Sequence, residues 1–318
     1  MKIIFFGSGK FAVSVLDAIN RSGGASSRCD ICLVVTQPDR KKGRHLSLGA
    51  TPVKEYALNH KLNIFQPEDI NSARSVEALQ KYQADLFIVV SYGRILSKEA
   101  LGLPKKLCVN IHASLLPKYR GAAPIQWALI NGETKTGVTF IRMNEHMDEG
   151  DIFYKKELRV SPLDRVDTLD ARLAMLASNN IGKVLISVEN NSLRFIKQNK
   201  KHSTNAPRIK KQDGLIRWDI SSKQVFDRFR GCFGWPGSYC YYNGKMLKVL
   251  DMEPTRNKVK GRPGVIVGIK SDSLEVACLV GSIMIKEVLP ESHHRMPVKS
   301  FLAGHKAKIG DTFSSICI

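Results

Sequence analysis

Asn110 and His112 lie two positions apart in the short apolar stretch LCVNIH, where their side chains could do chemistry together. The β-branched and apolar neighbours predict a strand, and side chains two positions apart on a strand share one face. A carboxamide can donate a hydrogen bond to an oxyanion, and an imidazole can donate one or move a proton. The pair alone therefore predicts acyl or carbonyl chemistry.

Asp148 is the third candidate, in the turn NEHMDEGD that follows the apolar strand GVTFIRM. A carboxylate near His112 would favour the charged imidazole, and Gly150 would let the backbone approach closely. The competing interpretation is that the acids of this segment only form a turn. No serine or cysteine lies beside an evident base, and the histidines form no metal-ligand pattern. We therefore predict Asn110, His112 and Asp148 as a catalytic set that uses no metal.

Alternating apolar strands and helices in the first 190 residues predict an α/β fold, a doubly wound and mostly parallel sheet. Ligands bind at the carboxyl ends of strands in such sheets. The segments Val90–Gly93 and Asn110–Pro117 are therefore expected to line one crevice. Short, regularly spaced strands after Trp235-Pro236-Gly237 predict a small, OB-like β-barrel. We expect domains at residues 1–190 and 215–318, joined by a polar, basic linker at 191–214.

The stretch from Gly7 to Ala12 fits the dinucleotide fingerprint G-x-G-x-x-A, and Asp39 lies near the position of its ribose-binding acid. A tight strand-to-helix turn in any α/β domain needs the same glycines, and Gln37-Pro38 separates Asp39 from the preceding strand. The pattern favours a structural turn over a nicotinamide-cofactor site.

The composition is that of an ordinary soluble globular protein, with 43% hydrophobic and 25% charged residues in 318. The first apolar run reaches glycine after six residues, too short for a secretion signal or a membrane span. Seven scattered cysteines do not suggest a disulfide framework. These features predict a cytoplasmic protein without membrane contact.

The formal net charge is +20, and residues 197–260 hold 15 Lys and Arg against 5 Asp and Glu. Nucleic acid is the leading partner class for such an excess, and solvated lysines are the alternative. The long loop from Gln37 to Lys54 is also basic, and loops of this length are often functional. The residues expected to contact nucleic acid are Arg40, Lys41, Lys42, Arg44, Lys210 and Lys211.

The segment from Asn110 to Gly121, NIHASLLPKYRG, followed by Asp148-x-Gly150-Asp151, resembles the folate-dependent formyltransferases. The similarity runs nearly end to end and takes in QPDR at 37–40, TPVK at 51–54, QP at 66–67, GAAP at 121–124 and WPG at 235–237. This sequence departs from the family at Lys41-Lys42 and at Glu149, which replaces a small polar residue.

The resemblance implies a Rossmann-like formyltransferase domain that uses 10-formyltetrahydrofolate as co-substrate. Asn110 and His112 would stabilise an oxyanion, and Asp148 would orient His112 and help proton transfer. The folate would lie against the turn 144–148 and against Val89, Val90, Ser91, Tyr92, Gly93, Ser114, Leu115, Leu116 and Pro117.

Relatives that formylate purine precursors or amino-sugar nucleotides share the Asn, His and Asp set, so a small amine is one possible acceptor. The basic loop, the second domain and the net charge instead favour initiator methionyl-tRNA as the acceptor and partner, with a monomeric enzyme. A folate- or RNA-binding module without activity is the alternative outside catalysis.

Overall fold

The structure is a computed structural model that describes residues 1–26, 29–42, 47–255, 259 and 261–316. It divides into two compact units. The first contains Met1–Pro124, Thr134–Ser161 and Thr168–Pro207, and the second contains Ile125–Glu133, Pro162–Asp167 and Arg208–Ile318. This division differs from the predicted boundaries, because residues 191–207 group with the first unit and two short internal segments group with the second.

The first unit is built on a mixed sheet. Its strands are, in chain order, β1 (Lys2–Gly7), β2 (Asp30–Val35), β3 (Arg40–Lys42), β4 (Ser47–Gly49), β5 (Ile64–Phe65), β6 (Leu86–Val90), β7 (Leu107–His112), β8 (Lys135–Arg142) and β9 (Ile152–Arg159). Seven of them pair in the order β5-β2-β1-β6-β7-β8-β9. The first five of these are parallel, and β8 and β9 are antiparallel. The predicted fold class is confirmed.

Helices connect these strands, as the alternating pattern predicts. They are α1 (Lys10–Ser26), α2 (Pro52–Asn59), α3 (Ala73–Gln80), α4 (Lys98–Leu101), α5 (Pro124–Ile130) and α6 (Val166–Glu189). Thr51 caps α2 by accepting a hydrogen bond from the Lys54 N–H, and Pro52 takes the first helical position. Helix α5 likewise begins at its proline. None of the described helices is both long and apolar enough to cross a lipid bilayer.

The glycine turn after β1 serves close packing. A Cβ on Gly7 would lie 2.7 Å from the Ala12 Cβ and 3.0 Å from the Val90 carbonyl oxygen. The Asp39 carboxylate is 2.6 Å from the Lys54 Nζ and accepts a hydrogen bond from Gln66. Both observations agree with the structural interpretation of the fingerprint-like pattern.

Part of the basic stretch from Gln37 to Lys54 is a hairpin, although the sequence predicts a loop. Residues of β3 pair with β4 in antiparallel register, from Arg40 opposite Gly49 to Lys42 opposite Ser47. The prediction of a loop is wrong at these positions, which form paired strands. Backbone hydrogen bonds hold this ladder, so it needs no apolar alternation, which is the signal that sequence analysis depends on.

The predicted linker is held to the first unit over its first half. Ile196 exchanges two backbone hydrogen bonds with Ile152, and the Ala206 N–H donates to the Arg120 carbonyl. Short 3₁₀ turns follow at Lys200–His202 and Lys211–Gly214. Few apolar residues lie here, so hydropathy could not reveal the pairing.

The second unit contains an antiparallel sheet consistent with the predicted small barrel. Its strands are β10 (Ser238–Tyr242), β11 (Lys245–Thr255), β12 (Ile266–Ile269), β13 (Leu274–Ala277), β14 (Ser282–Pro290) and β15 (Met296–Pro297). They pair in the order β10-β11-β14-β13-β12, with β15 on β14, and helices α7 (Ser222–Gly231) and α8 (Val298–His305) pack on the sheet. The core includes Trp218, Phe229, Phe301 and Phe313.

Candidate active site

Strands β6 and β7 bring the predicted residues to the side of the sheet where the parallel strands have their carboxyl ends. The two strands are parallel and in register, with Val89 opposite Asn110, so their carboxyl ends lie side by side. Asn110 is half-buried and His112 is only 6% exposed. The alternation of side chains along β7 puts both on the same face, as the spacing predicts.

The Asp148 carboxylate lies between the two β7 side chains and the loop that follows β7. Asn110 Nδ2 donates to Oδ1 at 3.1 Å, the Gly121 N–H donates to Oδ2 at 2.8 Å, and His112 Nδ1 is 3.5 Å from Oδ1. Asp148 has a backbone φ of +55°, in the left-handed region that aspartate adopts more readily than most residues. The structure therefore brings the three predicted catalytic residues into one cluster.

His112 is held at both ring nitrogens. Nε2 lies 2.8 Å from the Tyr119 carbonyl oxygen. A carbonyl only accepts hydrogen bonds, so Nε2 carries a hydrogen and Nδ1 faces Asp148. In the neutral ring Nδ1 is an acceptor, and in the doubly protonated ring it is a donor. Proton movement at this site would therefore use Nδ1.

A cavity of about 390 Å³ opens beside α4. Its lining residues are Lys98, Leu101, Gly102, Met143, Asn144, Glu145 and His146. Leu101 and Met143 also pack against a buried apolar cluster that includes Val89 and Tyr92. The cavity thus overlaps the predicted folate turn at residues 144–148, through Asn144, Glu145 and His146. Sequence analysis missed the α4 residues, because a four-residue helix has no periodicity to detect.

In the segment after β6, mainly the backbone is accessible for contact with a ligand. Ser91 and Gly93 are exposed and both have positive φ angles, +48° and +77°. The Tyr92 side chain is buried against Phe6, and burial raises the pKa of Tyr92 to about 12. The side chains of Val89 and Val90 are also buried.

In the loop after β7, two of the predicted folate residues hold the loop itself. The Ser114 hydroxyl donates to the Lys118 carbonyl at 2.6 Å. Leu116 is fully buried against Ile141 and Ile152. Leu115 and Pro117 are half-buried. Contact of this loop with folate stays a prediction, and the accessible side chains for it are Leu115 and Pro117.

Remote motifs meet beside the end of β6. The Gln37 side chain donates to the Tyr92 carbonyl at 2.7 Å, and the Gln66 side chain donates to the Gln37 carbonyl at 2.8 Å. Gln66 also reaches Asp39, the partner of Lys54. These contacts join the segments at 37–40, 51–54 and 66–67 into one support for residues 91–93.

Sequence analysis also missed Gln198, which lies in the predicted linker. Its side-chain Nε2 donates to the carbonyls of Asp148 and Gly150, at 2.7 and 2.8 Å. A glutamine in a polar, basic stretch gives no signal of such a role. Among the described residues, no His, Cys, Asp and Glu side chains are grouped to hold a metal ion.

The predicted nucleic-acid contacts fall in both units. Arg40, in the first unit, and Lys210 and Lys211, in the second, are exposed. The backbones of Lys41 and Lys42 belong to β3, and Arg44 lies outside the described residues.

Two profiles of known protein families match most of the chain. The profile of the formyl transferase family matches residues 1–185, and that of the formyl transferase C-terminal domain matches residues 208–306. The chain belongs to the formyl transferase family. As a member, it is an enzyme of formyl transfer.

Curated members of the formyl transferase family resemble the chain over its whole length. The methionyl-tRNA formyltransferase of Acetivibrio thermocellus is 38% identical over 316 residues, which cover 98% of this chain and 99% of the relative. That of Agathobacter rectalis is 38% identical, with coverage of 99% and 100%.

Solved structures show the same formyltransferase fold at lower identity. An N-formyltransferase from Helicobacter canadensis, in complex with folinic acid and dTDP-3-aminofucose, has a TM-score of 0.68 at 18% identity, covering 90% of this chain and 99% of that one. Phosphoribosylglycinamide formyltransferase from Bacillus halodurans has a TM-score of 0.51 at 24% identity, covering 60% and 97%.

Proposed function

We propose that this protein transfers the formyl group of 10-formyltetrahydrofolate to the amino group of methionine on initiator methionyl-tRNA. The observation that carries the proposal is the similarity to curated methionyl-tRNA formyltransferases, at about 38% identity through both units. The sugar and purine-precursor formyltransferases resemble the chain in fold, at 18% and 24% identity. The basic charge excess also supports a nucleic-acid acceptor.

The cavity beside α4 supports folate as the donor. A volume of about 390 Å³ lies within the range of small-molecule sites, and the lining combines the apolar Leu101 and Met143 with polar side chains that could fix a heterocycle. The exposed backbone of Ser91 and Gly93 and the turn at residues 144–146 would hold the bicyclic ring. The donor would supply the formyl carbon and an amine leaving group.

Asn110 is suited to stabilise the oxyanion of the transfer. Attack by a neutral amine places negative charge on the formyl oxygen. The Asn110 amide has two hydrogens, and one is used on Asp148. The second would donate to the formyl oxygen, the role of an oxyanion-hole donor.

His112 and Asp148 are suited to handle the proton. Nδ1 of a protonated His112 would add a second donor, because Nε2 is occupied by the Tyr119 carbonyl. Its one hydrogen would be shared between Asp148 Oδ1 and the formyl oxygen. Asp148 Oδ1 lies beside both Asn110 Nδ2 and His112 Nδ1. It would orient the imidazole and receive the proton that the attacking amine loses, directly or through water. That proton would then pass to the donor nitrogen as its bond to the formyl carbon breaks.

The test is formyl release on addition of charged initiator tRNA. Protein and 10-formyltetrahydrofolate are mixed with methionyl-tRNA, uncharged tRNA, or an amino-sugar nucleotide, and formylated product is measured. Formyl-methionyl-tRNA should form, with no turnover on uncharged tRNA. Faster turnover of the amino-sugar nucleotide would favour a small amine as the acceptor. If neither methionyl-tRNA nor the amino-sugar nucleotide were formylated, the proposed activity would be excluded.

A further inference from the structure

Gln198 joins the main chain of the Asp148 turn to a nearly buried cation. Both hydrogens of its side-chain amide have partners, since Nε2 donates to the Asp148 and Gly150 carbonyls. Its Oε1 accepts from Nε and one terminal nitrogen of Arg120, at 3.2 and 2.8 Å. The partners fix which end of the amide faces which group, because carbonyls only accept and a guanidinium only donates.

Arg120 is bound on three sides. Its side chain is 8% exposed, and a guanidinium so little hydrated needs a counter-ion. Glu149 supplies it, with Oε1 2.9 Å from the Arg120 guanidinium and Oε2 3.3 Å from the Lys200 ammonium. Lys200 first, and then Arg120, hold the pKa of Glu149 below its ordinary value. The backbone N–H of Arg120 donates to the Thr204 carbonyl.

Gln198 and the residue after Arg120 bind Asp148 at opposite ends, one at its backbone and the other at its side chain. Gly121, the residue after Arg120, donates its N–H to the Asp148 carboxylate, while Gln198 holds the Asp148 carbonyl. Gly121 lies so close to the 204–206 segment that a Cβ there would be 2.7 Å from the Ala206 carbonyl oxygen. A closed ring of contacts therefore surrounds the turn, whose central residue has a positive φ angle.

We propose that Gln198 and Arg120 are positioning residues, which hold the turn so that the Asp148 carboxylate stays directed at Asn110 and His112. Glu149 neutralises Arg120 in this arrangement. The inference rests on the proposed function, since the turn matters only if Asp148 acts in catalysis. Small displacements of a catalytic group cost large factors in rate.

Kinetics of Gln198 variants test the proposal. Gln198→Ala removes all four contacts, and the isosteric Gln198→Glu keeps the Arg120 pairing but cannot donate to the two carbonyls. Both should lower kcat at least about tenfold while KM for folate and for tRNA changes less than about threefold. Ser192→Ala is the control, because that exposed hydroxyl in the same segment donates to the Ser187 carbonyl at the end of α6. Unchanged kcat in a folded Gln198→Glu enzyme would overturn the proposal.

A double variant separates positioning from general stability. If Gln198 acts through Asp148, then Gln198→Ala should lower the activity of Asp148→Asn by less than about twofold, although it lowers that of the wild type tenfold. Effects that multiply would show independent action and would overturn the proposal. Activity of the wild-type protein distinguishes the proposed function from the positioning role. If the wild type has no activity, the proposed function is refuted. If the wild type and Gln198→Ala are equally active, only the positioning role is refuted.

Discussion

The Asp148 carboxylate accepts hydrogen bonds from a side-chain amide and a backbone N–H, and an imidazole nitrogen lies 3.5 Å from it. Such a carboxylate holds its orientation while it accepts a proton. Asn110 cannot titrate, so its donor capacity does not change with the proton movement around it. In this cluster, Asp148 would therefore accept the proton while Asn110 remains a constant hydrogen-bond donor.

Replacement of Asp148 by Asn should separate catalysis from binding. The amide keeps the shape of the side chain but removes the proton acceptor, so kcat should fall by roughly 10²–10⁴-fold, the usual range for a lost acid–base group. Folate affinity, measured by fluorescence titration, should stay within about threefold. Glu157→Gln is the control, because that carboxylate pairs with the exposed Lys135 on the sheet edge. Near-normal turnover of Asp148→Asn would remove the catalytic assignment.

At the scale of elements, β8 fixes the loop that follows β7. The fully buried Thr139 hydroxyl donates to the Ser114 carbonyl at 2.6 Å and accepts from the Leu116 N–H at 3.1 Å. That loop carries the Tyr119 carbonyl on which His112 depends. The strand therefore serves the site although none of its side chains belongs to the catalytic set.

Thr139→Val should destabilise the protein and lower its activity. The change leaves a buried carbonyl and a buried N–H without their partner, which costs about 1–3 kcal/mol. Thr136 on the same strand is the matched control, since its buried hydroxyl has no hydrogen-bond partner among the residues that the structure describes. Thr136→Val should be neutral or stabilising. Urea unfolding of both variants checks this, and equal destabilisation would contradict the assigned role of the Thr139 hydroxyl.

Gly150→Ala should damage the turn directly. A Cβ there would lie 1.8 Å from the Arg142 carbonyl oxygen, and the backbone would have to move, at a cost of about 1–3 kcal/mol or more. Gly182 in α6 provides the opposite case, because, apart from the adjacent backbone of its own helix, no atom of the described residues lies within 4 Å of a Cβ there. Gly182→Ala should stabilise by about 0.5–1 kcal/mol. If thermal unfolding showed that Gly150→Ala and Gly182→Ala change stability in the same direction, this reasoning would be refuted.

The sequence predicts the strands, the parallel sheet and the close approach at Gly150, because hydrophobic periodicity and glycine report on local geometry. It also predicts the triad of Asn110, His112 and Asp148, which the structure places together. The roles of Gln198 and Thr139 could not be predicted from the sequence. Each acts through a single polar side chain on a distant backbone group, and such contacts leave no periodic trace. The paired strands β3 and β4 were missed for a different reason, since their backbone ladder needs no apolar alternation.

At the scale of the molecule, charge is the property that most distinguishes this chain from a small-molecule enzyme. A net +20 opposes compact folding unless a polyanion or salt screens it. Exposed cations occur in both units, with Arg40 in the first and Lys210 and Lys211 in the second. A tRNA, with one charge per nucleotide, is a partner of the required size and sign.

Affinity for initiator tRNA should therefore fall steeply with salt. Neutralising about four phosphates would weaken binding about 100-fold between 50 and 200 mM salt, because the slope of log K against log salt is roughly −0.9 per phosphate on duplex nucleic acid. Lys210→Ala and Lys211→Ala should each reduce that slope by about one if they contact phosphate. Filter binding across a salt series measures it, and a surface alanine variant of Ser192 supplies the reference slope. A flat salt dependence in the wild type would indicate that the charge serves another purpose and would favour a small amine as acceptor.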